Sequence, residues 1–196
     1  MKRRQLTLCM AAVVATAAMF TSGCSPDAQA PAAAPIDRSQ ALAVLAAEGK
    51  GFTVGTLMAA NTVYVLFDPQ CPHCAALWEA AAPLQKQTRF VWLPVALLNA
   101  KSLPQGAAIM TATNPAEAMT AHEKSLMAGQ GGTSASASIP AEIEAAIKAN
   151  TALLDRLGAE SVPYVVGRHA GTGATVVQAG SMPTAALANL LGLAPN

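Results

Sequence analysis

Apolar positions in this chain fall into short runs separated by proline, glycine and small polar residues, and the spacing within each run predicts an element. Residues 62–68, TVYVLFD, are β-branched and aromatic and predict a buried strand. Residues 89–97, RFVWLPVAL, predict a second, parallel strand with Pro94 marking an edge or a bend. Before them, residues 37–48 predict a helix capped by Asp37 and stopped by Gly49 and Gly51, then a short strand around Phe52 to Val54. Between the two main strands, residues 75–86 predict a helix carrying Leu77, Trp78 and Leu84 among alanines.

Residues 98–157 read differently. Alanine, methionine and leucine dominate, and turn signals at Pro104 and Asn114-Pro115 divide three helices, near 104–112, 115–128 and 140–157. A glycine- and serine-rich loop over 129–138 separates the last two and is expected to be mobile. Pro140 suits a first helical turn, with Glu142 and Glu144 near its positive end. The chain then reads as a turn at Ser161-Val162-Pro163 into a strand, a hairpin punctuated by Gly171 and Gly173, a returning strand over 174–178 and a helix over 182–191 ending at Gly192. The order is α/β, with a helical insertion and no internal repeat.

The first residues change the domain picture. Lys2, Arg3 and Arg4 precede an apolar stretch from Leu6 to Phe20, then the small residues Thr21-Ser22-Gly23 and Cys24. This is expected to be a secretory signal peptide over 1–23. Thr21 to Cys24 resembles a bacterial lipobox, which implies Cys24 as a lipidated first residue, and Ser25 behind it implies outer-membrane sorting. The alternative is ordinary cleavage with a free Cys24. The Pro/Ala-rich residues 24–35 read as a flexible tether, 36–60 as a linker helix and short strand, and 61–196 as the main domain. Without residues 1–23 the chain keeps 9 basic and 11 acidic residues, a formal net charge of −2. No basic patch points to nucleic acid.

Of four cysteines, Cys9 falls in the signal and Cys24 at its end. Cys71 and Cys74 remain, as Cys71-Pro72-His73-Cys74 directly after a strand and at the start of a helix. Free N–H groups and the dipole at a helix N-terminus favour a thiolate, so Cys71 is expected to be the acidic, attacking and more exposed thiol, and Cys74 its resolving partner. Pro72 preorganises the first turn. His73 can tune the pair by stabilising the Cys71 thiolate. Asp68 either accepts the proton leaving Cys74 or caps the turn at Pro69. A metal site would need two further ligands, and His73, His122 and His169 form no such pattern. Ala75 stands where a c-type haem motif needs histidine. No cofactor or metal is expected.

FDPQCPHC and the later LGAESVPYVVG resemble the catalytic domain of bacterial periplasmic disulfide isomerases of the DsbC/DsbG type, over about residues 60–192. The resemblance implies a thioredoxin-like fold with an inserted helical subdomain near 98–157, a cis Val162–Pro163 bond facing the cysteines, and substrate binding along Val162 and Pro163. Pro72-His73 and Val162 resemble the oxidising DsbA enzymes instead. The residues before position 61 are too few for the isomerases' dimerisation domain, so a monomer is expected. The implied function is thiol–disulfide exchange with exported proteins, recycled by a membrane redox partner. Alternatives are a dedicated reductase for one client or for cytochrome maturation, and a non-catalytic periplasmic chaperone or binding lipoprotein.

Overall fold

The computed structural model describes residues 34–134 and 138–194; the expected signal peptide, Cys24 and nearly all of the tether lie outside them. Five strands form one sheet: β1 (Phe52–Gly55), β2 (Thr62–Phe67), β3 (Arg89–Pro94), β4 (Tyr164–Arg168) and β5 (Thr175–Ala179). Their spatial order is β1-β3-β2-β4-β5. β2 and β3 are parallel, with Phe67 opposite Pro94; β1 runs antiparallel to β3, and β4 to both β2 and β5. The central strand β2 thus carries the chain straight out to the cysteines.

Pro94 is the last residue of β3 and lies on an inner strand rather than an edge strand. β3 lies between β1 and β2, and the β1 pairing stops at Phe52 opposite Trp92, so no partner strand needs the N–H that Pro94 lacks. β3 ends there, and Val95, expected within it, instead donates its N–H to Phe67 O at 2.8 Å. Residues 36–60, expected as a linker helix and short strand, supply the helix α1 (Ala41–Glu48), whose Leu45 is fully buried, and β1, which joins the main sheet. The cap of α1 is Gln40 rather than Asp37: residues 38–40 form a turn in which Asp37 O accepts from Gln40 N, so the helix starts later.

The helix expected over 75–86 begins earlier and ends earlier, as α2 (Pro72–Ala81), followed by a 3₁₀ turn over 82–86 that Pro83 favours. The insertion comprises α3 (Ser102–Thr111), α4 (Pro115–Met127) and α5 (Ala141–Arg156), and α6 (Thr184–Leu191) closes the described chain. Asn114 caps α4 by accepting from Glu117 N at 3.3 Å.

Alternate residues of β3 serve opposite faces of the sheet. Trp92 meets Trp78 of α2 with ring centroids 5.0 Å apart and Phe67 at 5.7 Å, while Leu93 lies under Gly49 at the end of α1. Fully buried Asn150 of α5 joins three chain segments. Its amide donates to Lys50 O at 2.6 Å and Pro94 O at 3.0 Å, and its oxygen accepts from Lys50 N at 3.0 Å. The insertion is therefore bonded to the end of β3, next to the strand end that carries the cysteines.

Candidate active site

Cys71 is the N-cap of α2 and Pro72 its first residue. The extended backbone at Cys71 follows from the proline after it, which disfavours the helical region for the preceding residue. Cys74 N donates to Cys71 O at 2.9 Å, one turn on, which holds the two side chains on the same end of the helix. Both cysteines are free thiols.

Cys71 was expected to be the more exposed thiol, and it is, at 5 % against 0 % for Cys74, although both are buried. The Cys71 thiol lies 3.5 Å from Val162 O, which it meets as a donor. The Val162–Pro163 bond is cis, as the resemblance implied, and Val162 is itself buried. The structure thus brings Val162, 91 residues away in sequence, against Cys71 at the N-terminus of α2, with Pro163 next to it in the chain.

The two thiols differ in acidity. The hydrogen bond from the Cys74 side chain lowers the Cys71 thiol to about 6 from its ordinary 9.0; burial opposes this, and the N–H groups of Cys74 and His73 and the nearby His73 side chain add to it. Cys74 is pushed well up, first by burial and then by its bond to Cys71 and the Cys71 charge. One thiolate and one thiol is the state this geometry favours at neutral pH. His73 itself is exposed, with Nδ1 3.4 Å from Ser181 Oγ in the loop before α6.

Asp68 is fully buried, and its carboxylate is engaged by backbone. Oδ1 accepts from Gln70 N at 2.8 Å; Oδ2 accepts from Leu97 N at 2.8 Å and Leu98 N at 2.9 Å. These three bonds tie the turn before Cys71 to the loop leaving β3. Leu97 and Leu98 are left 43 % and 50 % exposed there.

The glycine–serine loop was expected to be mobile; residues 135–137 lie outside the described chain, but its described part is anchored to the site. Gly131 O accepts from Gln105 at 2.9 Å and from Gln70 at 3.2 Å, and these two glutamines also bond each other. Thr133 N donates to His122 Nδ1 at 3.2 Å, which leaves the proton on Nε2, and Nε2 donates to Pro69 O at 2.7 Å. Gly132 is held to glycine by a φ of +84° and by His122 Cε1, which a Cβ there would approach to 2.4 Å.

Two buried polar residues beside the site stand out in the structure: His122, weighed in the sequence only as a metal ligand, and Glu123, which was not singled out there. His122 and Glu123 of α4 are buried at 0 % and 3 % exposure. Burial lowers the proton affinity of His122, and the buried carboxyl of Glu123 is raised to about 8, chiefly by desolvation and then by Cys71, Asp68 and Glu79. The signal was present: Met119, His122, Glu123 and Leu126 follow the i, i+3, i+4, i+7 spacing of a buried stripe, so two of its four positions are polar.

Fold and site together define a thioredoxin-like protein with a helical insertion between β3 and β4, as the resemblance implied. No family model matches the chain. It is 30% identical over 143 residues to the thiol:disulfide interchange protein DsbG of Pseudomonas aeruginosa, covering 70% of this chain and 54% of that one. The chain thus spans about half the length of the curated relative it matches. Among solved structures it is similar to the catalytic domain of Proteus mirabilis ScsC, with a TM-score of 0.62, 16% identity, and 79% and 96% of the two chains covered. It is also similar to a periplasmic thioredoxin-like protein from Salmonella enterica serovar Typhimurium, with a TM-score of 0.57, 14% identity, and 71% and 87% covered.

Proposed function

We propose that this chain is a thiol–disulfide oxidoreductase that exchanges disulfides with exported proteins through Cys71 and Cys74. The observation that carries this reading is the asymmetry of the pair: Cys71 lowered to about 6 at the helix N-terminus, Cys74 raised and fully buried behind it. A structural disulfide needs no such difference, whereas an exchanging pair needs one thiolate to attack and one thiol held back to resolve. The similarity to a thiol:disulfide interchange protein supports the same reading.

In the oxidising direction a substrate thiolate attacks Sγ of Cys71, the Cys71–Cys74 bond breaks, and Cys74 leaves and takes up a proton. The second substrate thiolate then attacks the substrate sulfur of the mixed disulfide and releases Cys71 as a thiolate. In the reducing or isomerising direction the Cys71 thiolate attacks the substrate disulfide and Cys74 resolves it. Lowering Cys71 from 9.0 to about 6 stabilises the reduced pair about tenfold at pH 7, or ~30 mV, which favours the donation of disulfides. Pro72 and His73 contribute by shaping the first turn and supporting the thiolate. The backbone of Val162, beside Cys71 Sγ, is where an extended substrate chain would lie, with Pro163 holding that segment in place.

The location we propose is the periplasm. The basic, then apolar, then small residues at the start of the chain support this, as does the similarity to a periplasmic protein. Anchoring through a lipid on Cys24 follows from the lipobox resemblance alone, and mass spectrometry of the mature N-terminus tests it. A membrane redox partner that resets the pair completes the cycle.

The test of function is a redox titration of the Cys71–Cys74 pair in glutathione buffers, with Cys74→Ser to trap a mixed disulfide at Cys71. Exchange at Cys71 and loss of turnover in Cys71→Ala are expected. A Cys71→Ala protein that holds unfolded clients as well as the wild type, from a parent without turnover, would sink the enzyme reading in favour of a binding protein.

A further inference from the structure

Glu123 is 3 % exposed, and neither of its carboxylate oxygens has a hydrogen-bond partner among the described residues. An ionised carboxylate in that position costs several kcal/mol. The side chain is nonetheless buried beside the thiols: α4 packs against α2, and the adjacent His122 donates to Pro69 O, two residues before Cys71. The charged groups that act on it are Cys71 and Asp68 from the turn before α2 and Cys74 and Glu79 of α2, while His73, the remaining titratable residue of α2, is exposed. On its own helix its neighbours are His122, neutral between Thr133 and Pro69, and the exposed Lys124. The other elements packed on α4, α3 and β1, contain no ionisable residue. A carboxyl with no partner and no cation facing it, set against a thiolate, responds to whether that thiolate is there.

Cys71 carries its charge only when the pair is reduced. In the disulfide that charge is gone and one cause of the raised proton affinity of Glu123 goes with it. We propose that Glu123 is a redox-linked proton site, which takes up a proton when the Cys71–Cys74 disulfide is reduced and releases it when the pair is reoxidised. This rests on the reading that the pair exchanges. The step balances. Two substrate thiols lose two protons and two electrons and form an S–S bond. The electrons break the Cys71–Cys74 bond. One proton goes to Cys74, held as a thiol by its burial, Cys71 remains a thiolate, and the second proton goes to the Glu123 carboxylate instead of to water.

The linkage is read from the exchange equilibrium of the full chain with glutathione between pH 6 and 9, in the wild type, Glu123→Gln and Glu123→Asp. Around pH 7 to 8 the wild-type equilibrium is expected to shift towards the oxidised protein more steeply than that of Glu123→Gln, by up to about tenfold more per pH unit, because one more proton is bound on reduction. Glu123→Asp should keep the steeper slope. Parallel curves for the wild type and Glu123→Gln overturn the proposal, as long as both exchange. If neither exchanges at any pH, it is the redox reading of the pair that fails, and the linkage with it. Should Glu123→Gln not fold, the oxidised-minus-reduced infrared difference of the wild type decides. A protonated-carboxyl band gained on reduction supports the proposal, and its absence overturns it.

Discussion

Removing the Cys74 thiol should raise the pKa of Cys71, and by an amount the geometry sets. The largest single cause of the lowered Cys71 value is the hydrogen bond from the Cys74 side chain. A hydrogen bond to a charged acceptor is worth roughly 1.5–3 kcal/mol, or about 1–2 pKa units. Cys74→Ala removes that donor, so Cys71 should move from about 6 to roughly 7–8. At pH 7 its thiolate fraction would fall from about nine-tenths to between about a half and a tenth. Cys74→Ser keeps an O–H donor at the same place and should retain most of the lowering. The assay is the pH midpoint of Cys71 alkylation, checked by thiolate ultraviolet absorbance. Midpoints, not rates, are compared, because nucleophilicity itself changes with pKa. Equal midpoints near 6 for both variants would refute the reasoning and assign the lowering to the helix N-terminus and His73 instead.

Three further outcomes are expected. Glu123 has a folded pKa of about 8 against an ordinary 4.5, so the stability tied to its protonated form is fully present below pH 4.5 and is lost as pH rises to about 8; Glu123→Gln lacks that loss and should be more stable than the reduced wild type at pH 7 by about 3 kcal/mol, with the gap closing towards pH 4.5 in urea melts. Asp68→Asn puts an NH₂ where an acceptor is needed for Gln70, Leu97 or Leu98, and should lower stability by roughly 2–4 kcal/mol; a loss of exchange rate with no loss of stability would favour the proton-acceptor role instead. Asn150→Ala strands the backbone groups of Lys50 and Pro94 and should cost about 2–4 kcal/mol by chemical denaturation; a loss under about 0.5 kcal/mol would show that water replaces the side chain.

The linear sequence determined the local parts of this protein. The β-branched and aromatic runs placed the strands on either side of Cys71, and alanine-rich composition with proline and glycine turn signals placed the three helices of the insertion, because both signals are local to the chain. Proline at the second position of Cys71-Pro72-His73-Cys74, after a strand, put the thiols at a helix N-terminus for the same kind of local reason. Tertiary structure decided the rest, and the cause each time is contact between residues far apart in the chain. β3 became an inner strand because β1, the short strand expected around Phe52 to Val54, pairs with its first four residues, an arrangement that local pattern does not specify. Cys71 became buried because the Val162 carbonyl arrives from beyond the insertion. The loop after α4 is anchored because Gln70, Gln105 and His122 converge on it. The spacing of α4 puts Glu123 on the stripe with Met119 and Leu126, but only the packing of α4 against α2 takes it out of water beside the thiols. Its chemistry is a property of that packing, since only the loss of solvent makes a carboxyl hold its proton at neutral pH.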